Sequence, residues 1–107
     1  MTPKINKLIN IMVGNIVKDR KEEALKNAHE IMDYMAYLGL SVRYKYLGPV
    51  GYFYVTFLYF QENNTISFQG CGKTIAESIQ RLVMPEFLSK VQYLEAQSVT
   101  RFECSDN

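Results

Sequence analysis

Apolar positions at Ile5, Leu8, Ile9, Met12, Val13, Ile16 and Val17 recur at intervals of three and four, which puts them on one face of a helix. Thr2 stands where it can cap that helix and Pro3 suits its first helical position, so the pattern predicts an N-terminal helix over residues 2–18, slightly weakened by Gly14. A charged run follows from Lys18 to Glu23. The stripe then resumes at Ala24, Leu25, Ala28, Ile31, Met32 and Met35. Val17, Ala24, Ala28, Ile31 and Met35 keep nearly the same helical phase, so one bent helix and two separate helices both fit, two being the preferred reading. Gly39 closes the second segment as a C-terminal glycine.

Beyond Gly39 the period changes from helical to two. Val42, Tyr44 and Tyr46 alternate with Ser41, Arg43 and Lys45, the pattern of a half-buried strand. Gly48-Pro49-Val50-Gly51 marks a turn, residues 52–60 form a second strand rich in aromatic and β-branched side chains, and a polar turn at Gln61–Asn64 leads into a short third strand, Thr65-Ile66-Ser67-Phe68. Connections this short exclude crossovers, so the strands form an antiparallel meander. Gly70 and Gly72 permit a turn that side chains would obstruct. Thr74 and Glu77 then have the spacing of a capping box, opening a helix through Ile75, Ala76, Ile79, Leu82 and Val83 whose first N–H groups offer a place for an anion. Pro85 interrupts that helix and starts another over 85–97, with Glu86 in its first turn and Phe87, Leu88, Val91 and Leu94 on its apolar face. Residues 98–107 read as a frayed tail. The expected fold class is α+β: a three-stranded antiparallel sheet packed by helices, with an extra N-terminal helix and a C-terminal helical extension, in a single domain over 1–107.

Composition narrows the partners. The chain has 107 residues, 48% of them hydrophobic, and a formal net charge of +1, so no global electrostatic argument for nucleic acid or membrane exists. The charge is uneven: eight Lys/Arg against five Asp/Glu through residue 47 give +3, and four against six from residue 48 onward give −2. Any contact with a polyanion should therefore favour the first half. Two distant cysteines, Cys71 and Cys104, do not make a disulfide scaffold, and no apolar stretch has the length of a signal peptide or membrane span. A reduced, cytoplasmic protein is expected. Asn63-Asn64-Thr65 matches a glycosylation sequon and is read as turn chemistry.

The order helix, three strands, helix over residues 22–83 carries short motifs in sequence. Asp33-Tyr34-Met35-Ala36-Tyr37-Leu38-Gly39-Leu40 places an acidic residue six positions before Gly-Leu, Gly48-Pro49 precedes a strand patterned Phe53, Val55, Phe57, and Gly70-Cys71-Gly72-Lys73-Thr74 leads into the last helix. Together they resemble the double-stranded-RNA-binding domain, with its acidic contact to the minor groove, its Gly-Pro loop and its Gly-x-Gly-x-Ser junction. The resemblance implies RNA contact through Asp33, the Pro49 loop, Lys73 and Arg81, with Arg43 and Lys45 as further cations. Two departures weaken that implication. Val50 and Gly51 follow the Gly-Pro where the family has a histidine. Ile75, Ala76 and Ile79 replace the lysine cluster that grips phosphates, and phosphate contacts supply much of the affinity for nucleic acid. Degenerate domains of this kind serve as protein-interaction or dimerisation modules, which is what the departure implies.

The second strand is apolar on both sides. Phe53, Val55, Phe57 and Tyr59 take one face, and Tyr52, Tyr54, Leu58 and Phe60 take most of the other, with Thr56 between them. A solvated second face should be polar. Either a terminal helix covers it, a partner or second copy does, or it stacks bases. Tyr52, Tyr54, Leu58 and Phe60, with Ile9 and Met12 of the first helix, are the candidate interface. No catalytic set accompanies them. Ser67 stands where a phosphate-binding loop ending Gly72-Lys73-Thr74 needs a glycine, His29 has no ligand-spaced partner, and Cys71 has no base beside it. The expectation is a non-catalytic interaction module without cofactor or metal. It acts as a homodimer or on a protein partner, such as an inhibitor or regulator of phage or mobile-element type. The alternative is recognition of duplex or structured RNA.

Overall fold

Two helices precede the sheet. The computed structural model describes residues 3–105, and side chains through Ser98. Helix α1 (Lys4–Val17) and helix α2 (Lys21–Tyr37) are separate. Thr2 lies outside the described residues. Pro3 stands one position earlier than expected, as the N-cap of α1, its carbonyl accepting from the N–H groups of Asn6 and Lys7. The break falls at Asp19, whose φ of 56° lies in the left-handed region. The N–H of Asp19 donates to the Ile16 carbonyl and that of Arg20 to the Asn15 carbonyl. This pair of reversed bonds ends a helix in the manner usually left to glycine. Gly39, φ 100°, does the same for α2: its own N–H donates to Ala36, that of Leu40 to Met35, and Leu40 is buried in the core with Met35.

Strands β1 (Ser41–Leu47), β2 (Tyr52–Gln61) and β3 (Asn64–Gly72) form one antiparallel sheet in the order β1-β2-β3. Gly51, φ 70°, closes the first turn by donating to Leu47. The register sets Tyr46, Phe53 and Gly72 side by side, then Tyr44, Val55 and Gly70, then Val42, Phe57 and Phe68. These residues share the face turned to the helices. Arg43, Thr56 and Gln69 share the other, as do Lys45, Tyr54 and Cys71.

Helix α3 (Ile75–Leu82) lies against β2 and β3, and α2 lies over β1. A Cβ built on Gly70 would stand 2.0 Å from the carbonyl oxygen of Ser78, so only glycine allows the helix this near. Ser78 is itself buried, with Oγ 3.0 Å from the Phe53 carbonyl and 2.8 Å from the Thr74 carbonyl. Helix α4 (Pro85–Ser105) sends Phe87 onto the helical face of the sheet, its ring 5.9 Å from Phe57 and 5.2 Å from Phe68. The helix runs on to Ser105 where a frayed tail from residue 98 was expected. Nothing between Glu86 and Ser105 breaks a helix, and each added residue gains a backbone bond.

The core joins all layers: Ile5, Ile9 and Met12 from α1, Ala28, Ile31 and Met35 from α2, Val55 and Phe57 from β2, Ile79 and Leu82 from α3, Phe87 and Val91 from α4. This corrects the expectation for Ile9 and Met12. At 7% and 0% exposure they are consumed by packing against their own chain and have nothing to offer a partner.

Candidate interaction surface

The outer face of the sheet carries no helix among the described residues. Both terminal helices pack in the helical layer, so the cover expected from them is not provided. Tyr52 is 36% and Phe60 61% exposed, at the two ends of β2. Tyr54 and Leu58 between them are half-buried, and Thr56 is buried, because long neighbours lean over them. Arg43 and Gln69 flank Thr56, and the Tyr54 hydroxyl hydrogen-bonds Gln69 Oε1 while Gln69 Nε2 donates to Ser67 Oγ at 3.0 Å. The strand residues on this face include two cations, Arg43 and Lys45, and no carboxylate.

The residues expected to touch RNA do not converge. Arg43 and Lys45 point to the outer face of β1. Asp33 is exposed near the C-terminus of α2, about 18 Å along the helix from Lys21. Pro49 and Lys73 share the far end of the sheet, since Phe53 pairs with Gly72 just inside both turns. Arg81 turns back along β3, its Nη1 donating to the Cys71 carbonyl at 3.0 Å. At the start of α3 the capping pair is closed: Thr74 Oγ1 accepts from the Glu77 N–H at 3.0 Å, and Glu77 Oε2 from the Lys73 N–H at 3.1 Å. One of the helix's first N–H groups is thus already taken, by a hydroxyl of this chain, and the Lys73 N–H just before the cap by a carboxylate.

A second feature lies at the edge of the sheet. Tyr44 and Tyr46 face the helical side, where burial was expected, yet each is 55% exposed. The helical layer leaves this edge of the sheet partly bare. His29 meets Tyr44 edge-on at 6.2 Å, and Tyr46 leans on Phe53 at 4.9 Å. Beside them a cavity of about 330 Å³ opens between the α1–α2 corner, the start of α3 and Phe53, with Ile16, Leu25, Ile75 and Ala76 among its walls. Residues Arg43 to Lys45 and Tyr46 are exposed in succession, on both faces of the strand.

Glu95 forms a polar junction that the sequence did not announce. Its Oε2 accepts from the backbone N–H of Ile5 at 3.1 Å and from the Tyr34 hydroxyl at 2.5 Å, tying α4 to the start of α1 and to α2. Its Oε1 is buried without a hydrogen-bond partner among the described residues. Burial, then the hydrogen bond to Glu95 and its negative charge, push the Tyr34 phenol above its ordinary range. Lys4 Nζ stands 4.8 Å from the centre of the same ring.

Among the described residues no group of three His, Cys, Asp or Glu side chains is placed to hold a metal ion, and no helix is long and apolar enough to cross a membrane. Fold and surfaces define an α+β domain with a one-sided helical layer and a bare sheet face. Compared with protein-family models, curated proteins and solved structures, the chain has no match.

Proposed function

We propose that this chain is a non-catalytic protein-interaction module of the cytoplasm, a degenerate relative of the double-stranded-RNA-binding domain, that associates through the outer face of its sheet. The observation that carries this reading is the row Tyr52, Tyr54, Leu58 and Phe60, left without a helix over it on a sheet whose other face carries the helical layer. A second copy is the simplest occupant, and a regulated or inhibited protein an alternative one. Three strands about 4.8 Å apart and about 30 Å long give a footprint of roughly 400 Å² before side-chain relief. That is about half the ~800 Å² per partner of a standard interface, which suits a weak, reversible contact. Light scattering over a concentration series tests it: the mass should rise towards that of a dimer, and Tyr54→Glu should hold it at the monomer. A wild-type chain that stays monomeric at millimolar concentration refutes self-association.

One observation favours RNA as the second reading: Arg43 and Lys45 border Tyr54 with no carboxylate on the same strand face. Titration with duplex RNA at two salt concentrations decides it, since phosphate contacts impose a salt slope. Absence of binding, or a slope near zero, removes that reading.

A further inference from the structure

The β1 edge has a chemistry distinct from that of the outer face. In an antiparallel sheet alternate N–H and C=O groups of an edge strand point away from its neighbour and stay unpaired. β1 pairs only with β2. Its two sides also differ in character. Arg43 and Lys45 project on the outer side, whereas Tyr44 and Tyr46 project on the helical side, half exposed, and lead through His29 and Phe53 to the apolar cavity. An incoming strand would thus meet a cationic row on one side and an apolar shelf on the other.

We propose that the β1 edge binds an extended, acidic segment of a partner protein by strand addition, with carboxylates against Arg43 and Lys45 and alternate apolar side chains on Tyr44, Tyr46 and the cavity beside Phe53. Backbone pairing supplies affinity in such a mode and the alternate side chains supply selectivity. Charge disfavours the same strand of a second copy. Antiparallel β1–β1 pairing centred on Tyr44 sets Arg43 opposite Lys45 twice, and like charges directly opposite destabilise a pair. The edge therefore disfavours self-pairing in that register and favours a segment of opposite sign. This goes beyond self-association through the outer face and stands on different residues, so either can fail alone.

The test is a titration of the full chain with a blocked peptide about as long as β1, alternating glutamate with valine or phenylalanine, followed by calorimetry and by amide exchange. Binding should slow exchange of β1 amides that do not face β2. Replacing the glutamates by lysine should weaken it by about tenfold or more, as expected for close charge pairs. The exposed pair Arg43→Glu with Lys45→Glu should reverse the preference towards the lysine peptide, with circular dichroism unchanged. The proposal is overturned by equal binding of the two peptides, by no binding of either at millimolar concentration, or by binding that leaves β1 exchange unaltered. It is overturned too if a uridine oligonucleotide outcompetes the acidic peptide on Arg43 and Lys45, since the edge would then read nucleic acid. In the last three cases the edge cations would serve as nucleic-acid contacts or as guards against aggregation.

Discussion

Gly70→Ala should strongly destabilise the fold, although it adds one methyl group in the middle of a strand where alanine is ordinarily the better residue. The added Cβ would lie 2.0 Å from the Ser78 carbonyl oxygen and 3.1 Å from the Leu82 nitrogen, both backbone atoms of α3 that no rotamer change can move. A carbon and a carbonyl oxygen normally approach to about 3.3 Å, so α3 must retreat from β3 by more than ~1 Å. A gap of ~1 Å forfeits up to about half of the dispersion energy across it. Here it opens beneath Ile75, Ala76, Ile79 and Leu82, all buried. It also lengthens the Ser78 Oγ contact to the Phe53 carbonyl, now 3.0 Å. Overpacking alone costs about 1–3 kcal/mol, and the strained buried hydrogen bond adds about 1 kcal/mol or more. The expected loss is about 2–4 kcal/mol from a total of roughly 5–15 kcal/mol.

Urea unfolding followed by far-ultraviolet circular dichroism measures this directly. With a slope of about 1–3 kcal/mol per molar urea, the midpoint should fall by about 2 M. The same substitution at Gly14 is the control. That glycine sits inside α1 with nothing within 4 Å of the new Cβ, so Gly14→Ala should stabilise by about 0.5–1 kcal/mol. If Gly70→Ala unfolds within about 1 kcal/mol of the wild-type chain, the close approach of α3 to β3 is wrong and the placement of every residue on that layer falls with it.

Three further outcomes rest on single contacts. Asp19→Gly should raise stability by about 0.5 kcal/mol in the same urea assay, because glycine enters the left-handed region without the Cβ penalty, while Asp19→Val should lower it by about 1–2 kcal/mol. Glu95→Ala should cost about 1–3 kcal/mol, since it removes the acceptor shared by Ile5 and Tyr34; Glu95→Gln, which keeps an acceptor oxygen, should cost less. Tyr34 is a pH sensor of defined sign. Its folded state holds the proton more tightly than the unfolded chain, so the stability it contributes is complete below the ordinary tyrosine value near 10 and is lost as the pH rises above it. Wild type should therefore lose stability above about pH 10 faster than Tyr34→Phe; equal slopes would show that the phenol is not coupled to folding.

How much of this was legible in the sequence depended on how local the cause was. Helix faces, the Thr74–Glu77 cap and the Gly39 stop are set within a few residues, and each forms where the pattern put it; the third strand does not end at Phe68 with a turn at the two glycines, but runs on through Gly70 to Gly72, because pairing with Phe53–Val55 and the close approach of α3 hold them in the sheet. Position 19 shows the limit: an aspartate ends α1 by a route usually signalled by glycine, so the residue type did not mark the break that its φ reveals. Period-two alternation assigned Tyr44 and Tyr46 correctly to the helical face but could not say that the helical layer leaves them half exposed. Burial depends on where the covering helix runs, not on the strand's own pattern. The apolar face carrying Ile9 and Met12 fits core or oligomer contact equally as a pattern, and only the packing of α1 on α2 and α4 assigns it to the core. The Glu95 junction joins residues 61 and 90 positions apart, and no motif announces such a meeting.

The outer aromatic row can be separated from the fold by substitution, which decides whether it is there for contact. Phe60 is 61% exposed and Tyr52 36%, so each already forgoes a good part of the ~1.5–3 kcal/mol that complete burial would yield. Phe60→Thr and Tyr52→Thr replace an aromatic strand former by a β-branched one, and together they should cost at most about 1–2 kcal/mol. Phe57→Ala, one strand face away at 0% exposure, should cost about 3–5 kcal/mol. Against that small loss of stability, the double substitution should abolish the concentration-dependent rise in mass, because it removes both ends of the apolar row while leaving Arg43, Lys45 and the β1 edge intact. A midpoint shift as large as that of Phe57→Ala would mean that the row supports the sheet itself. An unchanged mass profile would mean that self-association uses another surface. Retained folding with lost association is the one result in which two large aromatic side chains at the ends of a bare sheet face serve a neighbour more than their own chain.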